Sequence, residues 1–312
     1  MNYKEIIESS HKKEYFYSNE TGDATLTIYT IFPGIEVVYN SVHIDCFDLS
    51  ISAKEGNFIE IHHCQEGRIE QEFGNDFFYL MPGDLSIGKR KEMIQSYNFP
   101  LQHYHGITIA IDTEIAPKCF SVFIEDIEVQ PSVVVKRLCG ERNCVTLRSE
   151  PYIEHIFSEM YTIKEEQRLG YLKIKILELL FILNTVEPPA SSLSRNTLPR
   201  IQVNLAKQVA TYLTQNMNRR ITVSELAKHF AVSETFLKNS FKGVYGVGIF
   251  SYNRIQKIQC AAQVLIKTDR SIADVANEYG YNNESKFSAA FKDIMGDTPS
   301  MWRRMHSKIN II

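Results

Sequence analysis

No run of this 312-residue chain stays apolar for the length of a bilayer. The most apolar stretch, Ile174 to Leu183, is broken by Lys175 and Glu178, whereas a span needs about 20 residues, so no membrane partner is expected. The opening segment MNYKEIIESSHKKEYFY has no apolar core of the kind a secretory signal carries, and a cytoplasmic protein is expected. The six cysteines form no CxxC pair, which leaves neither a disulfide framework nor a zinc knuckle and predicts reduced, mostly buried thiols. A glycine-rich phosphate loop, a βαβ alternation and a GxSxG turn are all missing. Nucleotide chemistry and nucleophilic catalysis therefore lack support, and neither an enzyme nor a cofactor is predicted.

What is present is divided along the chain. Residues 203–312 hold 15 basic against 8 acidic side chains, a balance of +7, and residues 1–202 hold 19 against 29, a balance of −10. A basic back half suits a polyanion. The length allows two domains with separate cores.

From about Thr25 to Ile127, short runs rich in Ile, Val, Phe and Tyr alternate with turn signals. Thr25–Phe32, Val42–Ser50, Phe58–Cys64, Arg68–Phe73, Phe77–Met81, Met93–Tyr97 and Gly106–Ile111 read as strands, so residues 1–150 are expected to form an all-β sandwich or small barrel. At Pro151 the period changes. Ile153, Ile156, Phe157, Met160 and Ile163 recur at three- and four-residue spacing, the mark of an amphipathic helix. After Gly170 a second helix carries Leu172, Ile176, Leu179, Leu180 and Leu183 on one face, with Ile174, Leu177, Phe181 and Ile182 over much of the rest. A helix apolar nearly all round is buried on two sides, so 151–186 is expected to cap the β domain and either to finish its core or to meet a second copy in a homodimer. Glu187-Pro188-Pro189-Ala190-Ser191-Ser192-Leu193-Ser194 then reads as part of a linker over 187–202.

The remainder, 203–312, contains one small unit twice. Ile221–Gly246 and Ser271–Gly296 share Phe241-Lys242 with Phe291-Lys292 and Gly246 with Gly296, fifty residues on. Ala227 recurs as Ala276, forty-nine residues on, so the second turn is one residue longer. In the first unit Thr222 or Ser224 can cap a helix that turns Leu226, Ala227 and Phe230 inward, and Ala231-Val232-Ser233 forms a turn whose serine caps the next helix. Phe236, Leu237 and Phe241 face the core there and leave Thr235, Lys238, Asn239 and Lys242 pointing out. In the second unit Ile272, Val275, Ala276, Tyr279, Phe287 and Phe291 pack, and Ser285, Lys286, Ser288, Ala289 and Lys292 point out. Asparagine bonds adenine through two contacts and lysine reaches guanine or phosphate, so these outward residues, with Ser233, are the candidate DNA contacts. One long helix, Ile249 to Ile266, joins the units and can hold both reading helices for successive major grooves.

The tail resembles the DNA-binding domain of AraC/XylS transcription regulators over about 203–306. The resemblance rests on Arg254…Ala261…Leu265-Ile266, then Ile272…Val275-Ala276…Tyr279-Gly280-Tyr281…Ser285-Lys286-Phe287-Ser288…Phe291-Lys292…Gly296…Pro299…Trp302-Arg303. It implies two helix-turn-helix motifs on double-stranded promoter DNA, usually in an activator that works with RNA polymerase. The family's base-reading positions correspond to Thr235, Lys238 and Asn239 in the first unit and to Ser285, Lys286 and Ala289 in the second. Many relatives carry an arginine or another polar residue where Ala289 stands. Alanine offers only a methyl contact, so the second unit is expected mainly to hold phosphate through Lys286, Ser288 and Lys292.

The front resembles the cupin-like jelly-roll domain of such regulators, on Ile59-Glu60-Ile61-His62-His63-Cys64…Gly67-Arg68, Leu80-Met81-Pro82-Gly83-Asp84-Leu85 and Phe99-Pro100…Tyr104-His105-Gly106-Ile107. That likeness implies a small-molecule effector and dimerisation. Arg68, His103 and His105 are the candidate effector contacts, and Arg90 is a further partner for an anion. His103 and His105 share one face of a strand and can grip one metal, but a metal cupin needs a third histidine and a carboxylate, and the adjacent His62 and His63 point to opposite faces. No metal is assigned. Two alternatives stand: a metal-dependent cupin enzyme fused to a nucleic-acid-binding tail, and a regulator whose front domain docks a protein partner.

Overall fold

The computed structural model describes residues 2–7, 9–48, 57–73, 76–90, 96–125, 128–140, 144–147, 150–187 and 197–306. The chain divides into two compact units, residues 1–197 and 198–312. Residues 188–196, most of the expected linker, lie outside the described residues, as do 91–95, 55–56, 74–75 and the side chain of Arg90.

The first unit is built on antiparallel strands: β1 (Asn2–Ile7), β2 (Lys12–Asn19), β3 (Gly22–Phe32), β4 (Ile35–His43), β5 (Cys46–Asp48), β6 (Phe58–Gly67), β7 (Ile69–Phe73), β8 (Asp76–Leu80), β9 (Leu85–Arg90), β10 (Ser96–Asn98), β11 (Tyr104–Asp112) and β12 (Cys144–Leu147). A large sheet runs β1-β2-β3-β4-β11-β6-β9-β12, and a smaller one contains β8-β7-β10-β5. Among the described residues three α-helices complete the unit: α1 (Pro131–Cys139), α2 (Pro151–Thr162) and α3 (Arg168–Thr185).

Alternation along the strands places two cores on the two faces of the large sheet. Ala24, Leu26, Ile28, Val42 and Tyr104 meet Ile69, Phe78, Leu80 and Tyr97 of the smaller sheet. Tyr29, Ile31, Ile35, Val37, Ile107, Ile109 and Ile111 meet Ile153, Ile156, Phe157, Met160, Leu172, Ile176 and Leu180 of the helices. Val42 and Val37 on β4, and Tyr104 and Ile107 on β11, thus serve opposite cores. Between β6 and β11 the register shifts: His105 pairs with Glu66 and Gly106 with Cys64, leaving Gln65 as the extra residue of a bulge.

Several elements depart from the sequence reading. The run read as one strand from Val42 to Ser50 holds, among the described residues, parts of two, β4 and β5, separated by a corner at Ile44-Asp45, and residues 49–50 lie outside the described residues. β1, β2, β9 and β12 were not expected. In β2 the signal is diluted because Lys12, Lys13 and Glu14 precede the buried Tyr15 and Tyr17. Helix α1 lies inside the region read as all-β. Its Val133-Val134-Val135 run is strand-like in composition, but Pro131 stands at the first helical position, where the missing N–H costs nothing, and Val134, Val135, Leu138 and Cys139 are buried together. The second helix, read as starting after Gly170, begins at Arg168, so that Gly170 sits inside α3. Cys64, Cys139 and Cys144 are buried and Cys46, Cys119 and Cys260 half-buried, all as free thiols. Burial pushes the Cys139 and Cys144 thiols up to about 11.

The second unit contains α4 (Arg200–Gln215), α5 (Val223–His229), α6 (Glu234–Tyr245), α7 (Ile249–Lys267), α8 (Ile272–Glu278), α9 (Glu284–Met295) and α10 (Pro299–His306). α4 and α5 pack on α6, and α8, α9 and α10 pack on α7. The later half centres on Ile258, Ala261, Leu265, Val275, Ala276, Phe287 and Phe291, with Trp302 against it.

Candidate nucleic-acid interface

The two helix-turn-helix pairs, α5–α6 and α8–α9, are built by the same backbone rules. Thr222 Oγ1 accepts the N–H of Glu225 at 3.2 Å, and Ser271 Oγ accepts that of Asp274 at 3.0 Å, so each first helix is capped. The Glu225 carboxylate takes Arg219 Nη1 at 2.6 Å instead of closing a capping box. Each first helix ends in one bond of the same kind: Val232 N–H donates to Ala227 O at 3.0 Å and Tyr281 N–H to Ala276 O at 2.9 Å. The residues just before these donors, Ala231 and Gly280, hold φ of +54° and +77°. Ser233 Oγ then caps α6 through Phe236 N–H at 3.2 Å, and Asn283 Oδ1 caps α9 through Lys286 N–H at 3.0 Å. From Ala227 to Ser233 is six residues and from Ala276 to Asn283 seven, so the additional residue lies between the left-handed position and the second cap. Gly246 and Gly296, both left-handed, end α6 and α9 alike.

This frame leaves Ser233, Thr235, Lys238, Asn239 and Lys242 exposed on α6, and Ser285, Lys286, Ala289 and Lys292 exposed on α9; Ser288 is half-buried. Beneath them Leu237, Phe241, Phe287 and Phe291 are buried. Phe230 and Phe236, expected in the core, are only half-buried, and Phe230 stands edge-on to the Tyr212 ring at 6.0 Å. Lys238 Nζ lies 3.2 Å from Glu234 one turn earlier, so a nucleic acid would have to draw it from an exposed pair worth little in water. Glu234 and Glu284 open their helices fifty residues apart. Each favours the helix dipole, and each is an acceptor that cytosine can use; the sequence reading passed over both.

Two contacts of α7 tie it to its surroundings, one to the second pair and one to the loop before the first. Arg254 Nη2 meets Asp293 of α9 at 2.8 Å. Lys257, buried on α7, donates from Nζ to the Arg219 carbonyl at 3.0 Å. A side chain at Gly280 would come within 3.1 Å of both that Nζ and Asn218 O. The turn of the second pair, the loop before the first and the connecting helix therefore converge on one ammonium group, whose pKa burial lowers. Nothing in the spacing of Lys257 announces this.

The effector candidates fall in two places. Arg68 is buried, with its guanidinium 5.4 Å from the Tyr79 ring centroid. His103 and His105 sit at the start of β11 and are joined there by His43, the last residue of β4. That third histidine escaped the sequence reading because only strand pairing reveals it. Burial first, and then the neighbouring His103 and His43, lower the pKa of His105. His62 and His63 point to opposite faces, as alternation requires. His62 Nδ1 is 3.1 Å from Thr108 Oγ1, and His63 stacks on Phe157 at 4.0 Å with Nδ1 3.0 Å from Tyr161 Oη.

Comparison with known proteins finds similarity in the second unit and, for some relatives, beyond it. A family described as "Helix-turn-helix domain" matches residues 226–305. The HTH-type transcriptional regulator ExsA of Pseudomonas aeruginosa is 26% identical over 268 residues, covering 84% of this chain and 90% of ExsA. The HTH-type transcriptional activator AarP of Providencia stuartii is 24% identical over 104 residues, 33% of this chain and 77% of AarP. An uncharacterized HTH-type transcriptional regulator of Staphylococcus aureus, SACOL0084, is 24% identical over 232 residues, 73% of this chain, and this chain spans only 29% of its length.

Proposed function

We propose that this chain, which belongs to the AraC/XylS family of transcription regulators, reads promoter DNA with α6, steadies itself on the phosphates with α9, and is governed by its β unit. That it is a DNA-binding regulator of transcription follows from the family; the roles of individual residues and the mode of control are our reading. Thr235, Lys238 and Asn239 contact bases. Lys242, Lys286, Ser288 and Lys292 hold the backbone, with Ser233 and Ser285 at the two helix starts, and Ala289 leaves space or meets a thymine methyl. The observation that carries this is the exposure of all these side chains but the half-buried Ser288 on or at the start of two helices that each follow a left-handed residue and each begin at a side-chain oxygen cap.

The β unit is proposed as a jelly-roll-like sensor for a small molecule, with Arg68 at one place and His103 and His105 at another as its candidate contacts, and the exposed Ile174 and Phe181 of α3 as part of a homodimer face. Effector binding changes how two DNA-binding units can be placed, and the placed protein activates RNA polymerase in the cytoplasm. The test is binding of the full chain to the DNA upstream of its own gene, titrated against salt and non-specific competitor. Saturable, selective binding that weakens steeply with salt is expected. Equal affinity for unrelated duplexes would defeat the base-reading assignment.

A further inference from the structure

Three histidines from neighbouring strands meet at one end of the large sheet. β4 ends at His43, and its antiparallel partner β11 begins with Tyr104 opposite Val42 and His105 opposite Ser41. Continuing that ladder by one residue sets His103 against His43. On both strands the odd positions belong to the helix-facing side: Ile35, Val37 and Tyr39 on β4, Ile107, Ile109 and Ile111 on β11. His43 and His105 share that parity, but here the sheet has run past the helices, and His43 is exposed and the other two half-buried.

The ring centroids lie 4.8 Å apart for His103 and His105, 5.0 Å for His43 and His105, and 5.3 Å for His43 and His103. One nitrogen from each histidine lies within 4.8 Å of the other two. The Nδ1 atoms of His43 and His103 are 3.5 Å apart. With zinc–nitrogen bonds of about 2.0–2.1 Å, the edge of a coordination tetrahedron is about 3.3–3.4 Å, so this pair already spans one edge.

His103 is also held from behind. Its far nitrogen, Nε2, lies 3.2 Å from the Glu66 carboxylate on β6. A metal-bound histidine commonly has this support, since the carboxylate fixes the tautomer and turns the other nitrogen toward the ion. The bulge at Gln65 brings Glu66 opposite His105. Gly67, at φ +81°, lets the β6 backbone close on the His103 carbonyl, where any Cβ would come within 1.9 Å. Arg68 N–H donates to that same carbonyl at 3.4 Å.

We propose that His43, His103 and His105 bind one divalent transition-metal ion, with Glu66 as the positioning residue behind His103. Three imidazoles favour a borderline ion such as Zn2+, Co2+ or Ni2+ over Mg2+ or Ca2+, which want oxygen. The fourth position faces solvent and is open to water or to a small donor. The inference rests on the first unit alone and stands or falls separately from DNA binding.

The test uses full-length protein without a histidine tag, stripped by a chelator and titrated with Zn2+ by calorimetry and with Co2+ by visible absorption. One equivalent of zinc is expected, with a Co2+ spectrum of low-coordinate intensity and no competition from excess Mg2+. Glu66→Gln should weaken zinc by about 10–100-fold. His43→Ala, His103→Ala and His105→Ala should each weaken it further and abolish the Co2+ bands. Each variant should unfold at the parent's temperature without metal, and zinc should raise that temperature for the parent, by less for Glu66→Gln, and not for the histidine variants. Well under one equivalent, or stoichiometric binding that survives all three histidine substitutions, would overturn the proposal.

Discussion

Ala231 and Gly280 occupy the same place in the two helix-turn-helix pairs, and both adopt the left-handed conformation, at φ +54° and +77°. For alanine this costs about 1–2 kcal/mol, and for glycine little. Ala231→Gly should therefore raise the stability of the chain, by less than about 1 kcal/mol once the added freedom of the unfolded glycine is subtracted. Gly280→Ala should lower it by at least about 1 kcal/mol, because the new methyl also meets Asn218 O and Lys257 Nζ. Urea unfolding of the two variants checks both signs; a loss in Ala231→Gly would mean that Ala231 is not strained.

Asn239 and Lys242 stand one turn apart on α6, both exposed, and are assigned different work. Asn239→Ala should narrow the gap between specific and non-specific DNA by about 1–3 kcal/mol, with little effect on the salt slope. Lys242→Ala should weaken all duplexes alike and reduce the slope of log affinity against log salt by about 1. Identical behaviour of the two variants in a salt-resolved binding series would refute the division.

His63 is buried against Phe157, and burial lowers its imidazole pKa below the ordinary value of about 6.5. As the pH falls, the unfolded chain takes up this proton before the folded one does. The site's contribution is intact above about pH 6.5 and is lost as the pH drops toward the lowered value, at no more than about 1.4 kcal/mol per pH unit. Between about pH 7.5 and 5.5 the parent should lose more stability than His63→Gln. Parallel losses would show that the histidine carries none of the acid sensitivity.

Ile174 and Phe181 lie two turns apart on α3 and are 62% and 48% exposed, while Leu172, Ile176, Leu179, Leu180 and Leu183 are buried on the sheet side. Ile174→Asp and Phe181→Asp should shift the protein toward monomer, as measured by light scattering, while leaving the circular dichroism unchanged. An undiminished dimer in the double variant would place the contact elsewhere.

The second unit was legible because its rules are local. Phe241 and Phe291, Gly246 and Gly296, and the capping serine at 233 are set by spacing along one chain. The exposure of Lys238, Asn239, Lys286 and Lys292 followed from helical period alone. The first unit was less legible because its signals are cross-strand. The first three positions of β2 carry charge, the three valines of α1 imitate a strand, and His43 becomes relevant only when β4 lies beside β11. Lys257 has another cause: a lysine in a helix reads as solvent-facing until the Arg219 carbonyl and Gly280 are seen closing over it.

Gln65 pairs with nothing across the β6–β11 ladder, yet it decides which β6 side chain stands beside the histidines. Were Gln65 to pair with His105 in phase, Glu66 would fall opposite Tyr104 and every later position of β6 would change sides. The chain would still spell all three histidines and the glutamate, and the glutamate would look away from them. The corner therefore depends on the register of β6 against β11 as much as on its residues, and the same composition in another register would describe a different place.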